Sequence, residues 1–455
     1  MYYTTGMYKK YWFYIVLLAH ATVILYFWAM GSGSLFRLGG ASAILALGRI
    51  SGLILVSMAL LQLLIMSRAP WLEQAFGLDK LARLHHKVGK YFIIFLIAHP
   101  LFIILSYAKF SQVGLVAEYL TLLKGDEILK TTVAFLLFLG IIVYSLLRIW
   151  KNWNFERWYY VHLAMYLAII FAFGHQTELG GDFLLSKLFT DYWYLAYAFV
   201  AVNLLSFRFL TPLLLFKKHQ FFVTDIKPET ANVTSVYISG EKINEFPIRS
   251  GQFLIVRFLD KTRWAQAHPF SLSKSPDGKT LRLSIKASGD FSSEVSSIAK
   301  GTKVLIEGPY GIFTATRSRT NKTLLIAGGI GITPYMGMLE ELSKANKDVV
   351  FIYGNKTQEE IALREELEEL AAKYKIKIHH VLSNQDASTL STRHLALGTI
   401  RAGFIDNELI KKLVPDVQDR EVFLCGPPPM LNSLLKSLPS LGLPKNKIYF
   451  EKFSL

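Results

Sequence analysis

Six long apolar stretches constrain the fold of this 455-residue chain more than any other feature of its sequence. Each approaches the length of about 20 residues that a helix needs to cross the hydrocarbon core of a bilayer. They cover residues 11–30, 44–66, 91–107, 133–149, 159–173 and 192–216. The sequence therefore predicts six membrane-spanning helices with a lipid bilayer around them. The first stretch is too long for a cleavable signal peptide, lacks a small-residue cleavage site and is followed by further spans.

The basic residues predict the orientation of these helices. Lys and Arg outnumber Asp and Glu by 50 to 34, which gives a net charge of +16. They cluster before the first stretch, in the second and fourth connections and after the sixth stretch: Lys9, Lys10; Arg68, Lys80, Arg83, Lys87, Lys90; Arg148, Lys151, Arg157; Lys217, Lys218. The positive-inside rule then places both termini in the cytoplasm of a multi-pass plasma-membrane protein. Because the charge is explained by topology, we expect no nucleic-acid partner.

The sequence pattern changes after residue 216. From residue 220, short alternating runs separated by Pro and Gly are typical of antiparallel strands in a barrel. From residue 322, strands alternate with helices, which favours a doubly wound α/β domain. The predicted architecture is a six-span α-helical bundle over 1–216, an antiparallel β-barrel over 217–318 and a doubly wound α/β domain over 319–455.

Cysteine usage narrows the available chemistry. Cys425 is the single cysteine of the sequence. A disulfide framework within the chain, a cysteine-ligated iron-sulfur cluster and C-x-x-C-H haem attachment are therefore excluded. Any redox chemistry must use other ligands or organic cofactors.

Four histidines at membrane depth supply a candidate ligand set. His85 opens the third span, just before its apolar stretch, and His99 lies deep within it; they are 99 − 85 = 14 residues apart, which on a helix brings them within about 40° of one face and about 21 Å apart. His162 and His175 occupy matching places in the fifth span, and their spacing of 13 leaves a mismatch of about 140°, so a π-bulge or tilted haems would be needed. Because both spans run outward, we expect His85 to pair with His162 and His99 with His175, each pair holding one b-type haem. His86 remains an alternative to His85.

A glycine-rich turn between a buried strand and a helix is the second candidate site. Glycines there would let a dinucleotide phosphate approach the backbone N–H groups at the helix start. The candidate binding residues are Gly328, Gly329, Gly331, Thr333 and Pro334.

The membrane motifs resemble a known family. Residues 81–91, with His99 and Pro100 beyond them, are similar to the ferric reductase transmembrane domain shared by ferric reductases and NADPH oxidases. The resemblance implies six spans and two b-type haems ligated from the third and fifth spans, where a spacing of 13 also occurs. Arg49 matches an arginine that in NADPH oxidases lies near the outer haem and the oxygen site. Ile103 stands where NADPH oxidases carry a further histidine.

Two segments of the second half resemble the FAD-binding motifs of the ferredoxin reductase superfamily. The first is similar to the flavin motif in its NADPH oxidase variant: His268, Pro269, Phe270, Ser271, Leu272 and Ser273. The second is similar to the pyrophosphate segment: Lys286, Ser288, Gly289, Asp290, Phe291 and Ser292. The resemblance implies a bound FAD. Many soluble members carry Arg where this chain has His268.

A third segment resembles the second nicotinamide motif of the same superfamily. It contains Cys425, Gly426, Pro427, Pro428 and Met430. The resemblance implies that NAD(P)H binds and that Cys425 orients hydride transfer.

Two further residues bear on the same cofactors. Lys356 could contact a 2′-phosphate, but Glu359 and Glu360 oppose one, so the choice between NADH and NADPH stays open. Phe453 resembles the aromatic residue that covers the flavin ring. It completes, with Cys425 and Ser271, the residues expected at the hydride-transfer site.

The order of these parts predicts a transmembrane oxidoreductase. Electrons would pass from cytoplasmic NAD(P)H through FAD and two b-type haems to an acceptor on the outer face, with ferric iron chelates as the first expectation. One alternative is an NADPH oxidase that reduces O2 to superoxide. Another is a haem-containing reductase that serves a membrane or periplasmic partner protein. The sequence leaves open the acceptor, the oligomeric state, the regulation and the haem potentials.

Overall fold

The computed structural model describes residues 2–151, 153, 155–384 and 398–452. The chain divides into two compact units. The helical unit contains Met1–Ala75 and Lys80–Arg208, and the sheet unit contains Phe76–Asp79 and Phe209–Leu455.

Six helices are long and apolar enough to cross a membrane, which confirms the predicted number. They cover Tyr8–Met30, Gly40–Met66, Leu78–Ser111, Asp126–Arg148, Phe155–Leu179 and Lys187–His219. The third begins at Leu78 rather than at residue 91, so both of its candidate ligands lie well inside one continuous helix. Many large apolar side chains on these helices are exposed, among them Leu18, Ile94 and Leu195, as lipid-facing surfaces require.

The described helices of this part of the chain have the following bounds: α1 (Tyr2–Met30), α2 (Gly40–Met66), α3 (Pro70–Phe76), α4 (Leu78–Ser111), α5 (Leu115–Leu122), α6 (Asp126–Lys151), α7 (Phe155–Leu163), α8 (Met165–Phe171), α9 (Gly174–Leu179), α10 (Gly181–Leu185), α11 (Lys187–Asn203) and α12 (Thr211–His219). A π-helical segment, Leu204–Leu210, joins α11 to α12. The fifth span is thus a series of three short helices, α7, α8 and α9.

The first part of the sheet unit is a six-stranded antiparallel barrel. Its strands are β1 (Phe222–Thr230), β2 (Val233–Ser239), β3 (Phe253–Phe258), β4 (His268–Ser271), β5 (Leu281–Lys286) and β6 (Val304–Tyr310), with a short helix α13 (Asp290–Ser293). They form two sheets of order β1-β2-β5 and β4-β3-β6. Antiparallel bridges between Phe222 and Lys303 and between Leu272 and Leu283 join the sheets at both edges, which closes the barrel.

The second part of the sheet unit is a parallel sheet covered by helices on both faces, as predicted. Its elements are β7 (Lys322–Gly328), α14 (Thr333–Lys344), β8 (Asp348–Asn355), α15 (Arg364–Tyr374), β9 (Lys377–Leu382), β10 (Gly398–Ala402), α16 (Asn407–Leu413), β11 (Glu421–Cys425), α17 (Pro428–Ser437) and β12 (Ile448–Glu451). One core packs under α14 and α15 and the other under α16 and α17.

The strand order of this sheet positions a ligand crevice. The order is β10-β9-β8-β7-β11-β12, so the chain moves outward from β7 in one direction and later resumes on the other side at β11. The order therefore reverses between β7 and β11. Open α/β sheets bind ligands outside the carboxyl ends of the strands at such a reversal.

Candidate functional site

The structure brings the four membrane histidines together in two pairs. The rings of His85 and His162 have centroids 6.0 Å apart, and those of His99 and His175 have centroids 6.3 Å apart. These are the pairs that the sequence predicts. Each joins α4 to a helix of the fifth span.

The separations fit a metal between the two rings of each pair. A bond of about 2 Å from each ring nitrogen to iron, with about 1.1 Å from that nitrogen to its ring centre, places the two centroids about 6 Å apart. A buried Nδ1 atom of His162 also has no hydrogen-bond partner among the described residues. The donor set therefore suits two b-type haems, each with two imidazole ligands.

Tight turns in the fifth span bring His162 and His175 to one side. The N–H groups of Ala164, Phe173 and Gln176 donate to carbonyl oxygens three residues earlier, at 3.1, 3.2 and 3.2 Å. Such turns advance by about 120° per residue instead of about 100°, so they overwind the span. His175 falls about 140° short of the His162 face in one direction of rotation and about 220° beyond it in the other. Overwinding adds rotation and has to supply only the smaller angle, whereas a π-bulge unwinds the helix and would have to remove the larger one. The predicted π-bulge is wrong for this span, all of which the structure describes.

Helix α2 supports both histidines of α4. The Nδ1 atom of His99 lies 2.8 Å from the Gly48 carbonyl oxygen, and a Cβ atom at Gly52 would stand 2.8 Å from the His99 ring. Because a carbonyl only accepts, Nδ1 carries the proton and Nε2 keeps the lone pair that a metal requires. At the other pair, the side-chain amide of Gln62 reaches the Nδ1 atom of His85.

Sequence reasoning missed these α2 residues. A signal was present, because Gly48 and Gln62 are 62 − 48 = 14 residues apart, the same spacing as His85 and His99. When two antiparallel helices each carry a pair of residues at the same spacing, both pairs can come into contact, here at the His99 level and at the His85 level. Finding them required knowing that α2 packs against α4 in this register.

An apolar layer lies between the two histidine levels. Phe92 and Leu96 on α4, Phe138 on α6 and Ala168 on α8 are buried in one cluster, and the rings of Phe92 and Phe138 are 5.5 Å apart. Phe92 and Leu96 fall between His85 and His99 along the helix. This cluster therefore fills the space between the two histidine levels with apolar side chains.

Arg49 belongs to a buried polar chain beside the His99 pair. Its guanidinium donates to the Ser32 hydroxyl at 3.0 Å, and Ser32 donates through its N–H and hydroxyl to one Asp182 oxygen at 2.8 and 2.7 Å. Asp182 and Ser32 are buried. Arg49 is thus fixed by its neighbours, and it directly follows Gly48, whose carbonyl contacts His99.

His20 lies outside both pairs. Its Nδ1 atom is 2.5 Å from the Tyr192 hydroxyl, and its ring stacks on Trp193. This contact ties α1 to α11, which gives this membrane histidine a packing role.

In the barrel, the two predicted flavin segments meet. The His268 ring on β4 lies 4.0 Å from the Phe291 ring, and the Phe270 ring lies 6.2 Å from it. Pro269 pairs with Ile255 of β3. Strand β4 thus carries the first segment to the start of α13.

The hydroxyl groups of the first segment differ in their surroundings. Ser271 is 6% exposed, and its buried hydroxyl has no partner among the described residues, so it fits a hydrogen bond to a bound flavin. Ser273 instead donates to the Arg282 carbonyl at 3.0 Å. The Leu272 side chain is part of the barrel core, so only its backbone can face a ligand.

The second segment forms an exposed turn. The Ser292 hydroxyl accepts from the N–H groups of Ser288 and Gly289 at 2.9 and 3.0 Å. Ser288, Gly289 and Asp290 are exposed, and Lys286 lies 3.7 Å from Glu360. The turn is accessible to a phosphate, while the Ser292 hydroxyl is occupied by the backbone.

The two nicotinamide motifs meet at the reversal point of the parallel sheet. Ala327 of β7 pairs with Cys425 of β11. A Cβ atom at Gly331 would overlap the Cys425 carbonyl oxygen, and one at Gly426 would stand 3.0 Å from the Gly328 nitrogen. These glycines allow the two turns to pack backbone to backbone.

The remaining residues of these motifs shape the same crevice. Thr333 donates to the Ile330 carbonyl at 3.1 Å, and Pro334 lies in the first turn of α14. Pro428 begins α17 directly after Pro427. The Met430 sulfur lies 2.8 Å from where a Gly328 Cβ would be.

Cys425 is completely buried. Burial raises the pKa of its thiol well above the ordinary value, and the negative charge of Glu451 adds to the shift. The thiol is therefore neutral. Glu451 pairs with Cys425 in the register of β11 and β12, and Phe453, two residues later, lies outside the described residues.

Lys356 is exposed directly after β8, the neighbour of β7. Gly329, in the turn after β7, adopts a φ of 52°. Of the two acidic residues expected to oppose a 2′-phosphate, Glu360 is engaged with Lys286 of the barrel.

Three family models match consecutive parts of the chain. The ferric reductase like transmembrane component matches residues 47–173, the FAD-binding domain 219–314 and the oxidoreductase NAD-binding domain 325–436. This combination in one chain is the domain architecture of ferric reductases and NADPH oxidases. The chain belongs to the ferric reductase and NADPH oxidase superfamily. As a member, it is a membrane-bound oxidoreductase with FAD-binding and NAD(P)H-binding domains.

Individual relatives match about half of this chain. NADH-cytochrome b5 reductase 1 of Lodderomyces elongisporus is 31% identical over 247 residues, which cover 52% of this chain and 79% of that protein. The flavohemoprotein of Oceanobacillus iheyensis is 29% identical over 239 residues, which cover 50% of this chain and 56% of that protein. The chain thus spans little more than half the length of this relative. The cytochrome b5 reductase domain of Ulva prolifera nitrate reductase superimposes with a TM-score of 0.44 at 20% identity, over 52% of this chain and 98% of that domain.

Proposed function

We propose that this protein carries electrons from cytoplasmic NAD(P)H through FAD and two b-type haems to ferric iron chelates at the outer face of the plasma membrane. The observation that carries the proposal is the pair of histidine separations, 6.0 and 6.3 Å, at two levels of one bundle. When bound, the flavin would accept a hydride and release its electrons singly to the haems.

In the helical unit, the protein's own residues would bind and insulate. His85 with His162, and His99 with His175, would hold one haem each. The Gly48 carbonyl holds the proton on Nδ1 of His99 and so keeps Nε2 available. The apolar layer around Phe92 would exclude water between the two levels.

In the sheet unit, residues of the barrel and the parallel sheet would hold the two nucleotides. The Ser271 hydroxyl would hydrogen-bond the flavin, and Phe453 would cover its ring. The glycine turns at Gly331 and Gly426 would admit the nicotinamide dinucleotide. A neutral, buried Cys425 would position the nicotinamide by contact rather than by charge.

The preference for ferric chelates over O2 is supported at the outer level. Ile103 packs against Gly48, beside His99, at the place where NADPH oxidases carry a further histidine. The oxidase alternative is favoured by Arg49, which lies next to the same residues. The two acceptors can be separated by experiment.

The deciding experiment uses purified protein with FAD and NAD(P)H. Reduction of a ferric chelate should persist without oxygen and be unaffected by superoxide dismutase. If chelate reduction instead requires oxygen and is abolished by dismutase, the protein is an oxidase. If neither acceptor is reduced, the alternative of a partner protein is favoured.

We also propose cytoplasmic termini and the domain ranges 1–216, 217–318 and 319–455. The clustering of Lys and Arg in alternate connections supports this orientation. A reporter that is active only in the cytoplasm should work when fused after residue 455. A reporter active only outside the cell should not.

A further inference from the structure

The outer face of the β4-β3-β6 sheet lies against the ends of two membrane spans. On β3, Leu254, Val256 and Phe258 belong to the barrel core, so the residues between them point outward. The outward Ile255 packs against Leu78, the first residue of the third span. Helix α12, which ends the sixth span, packs against β6. Leu78 and α12 both belong to the sheet unit, so this face of the barrel is held where two spans end.

The part of this face that the spans leave uncovered carries exposed apolar side chains. Leu259, next in the outward alternation after Arg257, is 38% exposed, and its N–H donates to the Lys303 carbonyl oxygen at 2.8 Å. Lys303 pairs in turn with Phe222, which is 40% exposed. The Arg257 guanidinium donates to the carbonyl oxygen of Trp264 at 3.1 Å, and the Trp264 side chain is 60% exposed. We call Phe222, Leu259 and Trp264 the barrel patch.

These side chains are grouped rather than scattered. Among the described residues after 221, four large apolar side chains are exposed: Phe222, Leu259, Trp264 and Phe404. Three of the four belong to the barrel patch. Single exposed apolar residues are ordinary on any protein surface, whereas neighbouring ones mark an interaction surface.

The charges beside the barrel patch are basic. Lys261 and Lys303 are exposed, and neither forms an ion pair within the part of the chain that the structure describes. The carboxylate in the same loop, Asp260, is paired with Arg263 at 2.5 Å, so it does not offset them. Trp side chains are favoured at the headgroup level of a bilayer, and Lys side chains are attracted to anionic headgroups.

We propose that the barrel patch rests on the surface of the bilayer, with its three apolar side chains in the headgroup layer and Lys261 and Lys303 on anionic lipids. In the proposed orientation this is the cytoplasmic leaflet. The surface is continuous with the two span ends on the same face of the sheet, which favours lipid over a soluble partner. The contact goes beyond the proposed electron transfer and does not depend on bound haem.

Quenching by spin-labelled lipids tests this surface on the full-length protein in nanodiscs. The single cysteine, Cys425, is completely buried, so one introduced cysteine can carry a fluorophore. A label at Leu259→Cys should lose most of its fluorescence when the phosphatidylcholine carries a nitroxide on its headgroup, and less when the nitroxide lies deep in the acyl chain. A label at Phe404→Cys is the matched control, because Phe404 is an exposed apolar residue beyond the barrel, and it should keep its fluorescence.

The results distinguish the occupants of the barrel patch. Equal fluorescence of the Leu259→Cys label with and without nitroxide lipid would overturn the proposal. A label that is shielded from water already in detergent and is not quenched by lipid would show that another part of the chain covers the patch. Fluorescence that depends on the number of chains per disc would show a second copy, and both results would contradict a lipid contact. If Leu259→Cys protein aggregates on gel filtration, Lys261→Cys carries the label instead.

The two lysines are tested through the charge of the lipid. In discs that contain phosphatidylserine, Lys261→Gln combined with Lys303→Gln should reduce quenching of the Leu259→Cys label by headgroup nitroxide. In discs of phosphatidylcholine alone the same substitutions should have little effect, because the attraction requires anionic headgroups. Lys377→Gln, which removes an exposed lysine of the parallel sheet, is the control. Equal effects in the two lipids would contradict the role proposed for the lysines.

Discussion

His99 is fixed from two sides by α2. The Gly48 carbonyl oxygen holds its Nδ1 atom, and the absence of a side chain at Gly52 lets the ring lie against the helix backbone. A ring held in this way has lost most of its rotamer freedom before any ligand binds, so less entropy remains to be lost on metal binding. The contribution of His99 can therefore be tested by removing the ring alone.

His99→Ala should remove the outer haem and stop outward electron delivery, while NAD(P)H still reduces the flavin. We expect ferric chelate reduction to fall on the order of 100-fold or more, because one of the two histidines that would hold the outer haem is gone. Flavin absorbance in stopped flow and chelate reduction measure the two steps separately. His20→Ala is the control, since His20 contacts Tyr192 and belongs to neither pair. Full haem content and undiminished outward transfer in His99→Ala would show that His99 is not a ligand.

His380 is an unusual interior residue of the parallel sheet. It is 1% exposed, and neither ring nitrogen has a hydrogen-bond partner among the described residues. Burial lowers its pKa to about 4, and the positive charge of Arg364 adds to the shift. The folded protein therefore keeps this imidazole neutral at a pH where the unfolded chain would protonate it.

Acidification should destabilise the fold through His380. Because the folded pKa of about 4 lies below the ordinary histidine pKa of 6.5, the stabilisation is complete above pH 6.5 and is lost as the pH falls to about 4, by about 3 kcal/mol in all. His380→Leu should lack this loss. Its Tm relative to wild type should rise on the order of 5 °C between pH 7.5 and pH 4.5. A Tm difference that is independent of pH would contradict this explanation.

At the scale of elements, the fifth span depends on its interruptions. Helices α7, α8 and α9 are joined by turns around Ala164 and Ala172, and these turns bring His162 and His175 to one side. The spacing of 13 therefore works only with the local overwinding. One residue more or less between the two histidines should break the arrangement.

Insertion of one alanine after Ala168 should rotate His175 by about 100° away from His99. The outer haem should be lost and the inner one retained, so that the haem-to-protein ratio falls from two to one. The control is one alanine inserted after Gly114, which is exposed between α4 and α5. If the insertion after Ala168 keeps both haems, His175 is not held by this geometry.

The sequence was informative about elements where local rules apply. The short alternating runs after residue 220 form antiparallel strands such as β3, and the 14-residue spacing on α4 was enough to place His85 and His99 on one side. The sequence was less informative where packing between helices determines the local geometry. The tight turn at Ala164 contains no Pro or Gly, and the single Gly174 that follows the turn at Ala172 does not by itself specify a tight turn. The contact between Gln62 and His85 depends on the register between two helices, which no local pattern encodes.

At the scale of the whole molecule, the barrel and the parallel sheet are connected by ion pairs within the sheet unit. Arg282 on β5 lies 2.5 Å from Glu366 on α15, and its side chain is 6% exposed. The Arg282 guanidinium also hydrogen-bonds the Ser273 hydroxyl at 3.2 Å, in the flavin segment. One residue therefore links the candidate flavin segment to the NAD(P)H-binding part.

Glu366→Gln should weaken this link. We expect a loss of about 1–3 kcal/mol in stability, because a charge-assisted hydrogen bond is replaced by a neutral one beside a buried guanidinium. Flavin reduction by NAD(P)H should slow several-fold as the two nucleotide sites lose their fixed orientation. Glu365→Gln, an exposed neighbour on α15, is the matched control. Equal flavin reduction rates in the two variants would show that the ion pair does not orient the sites.

The most direct test of the two-haem arrangement is the dithionite-reduced absorbance spectrum of the purified chain, with haem and protein quantified on the same sample. Four imidazoles in two pairs should give a b-type spectrum with two haems per chain. A preparation made with ample haem that shows no Soret band, or that binds a single haem, would contradict it.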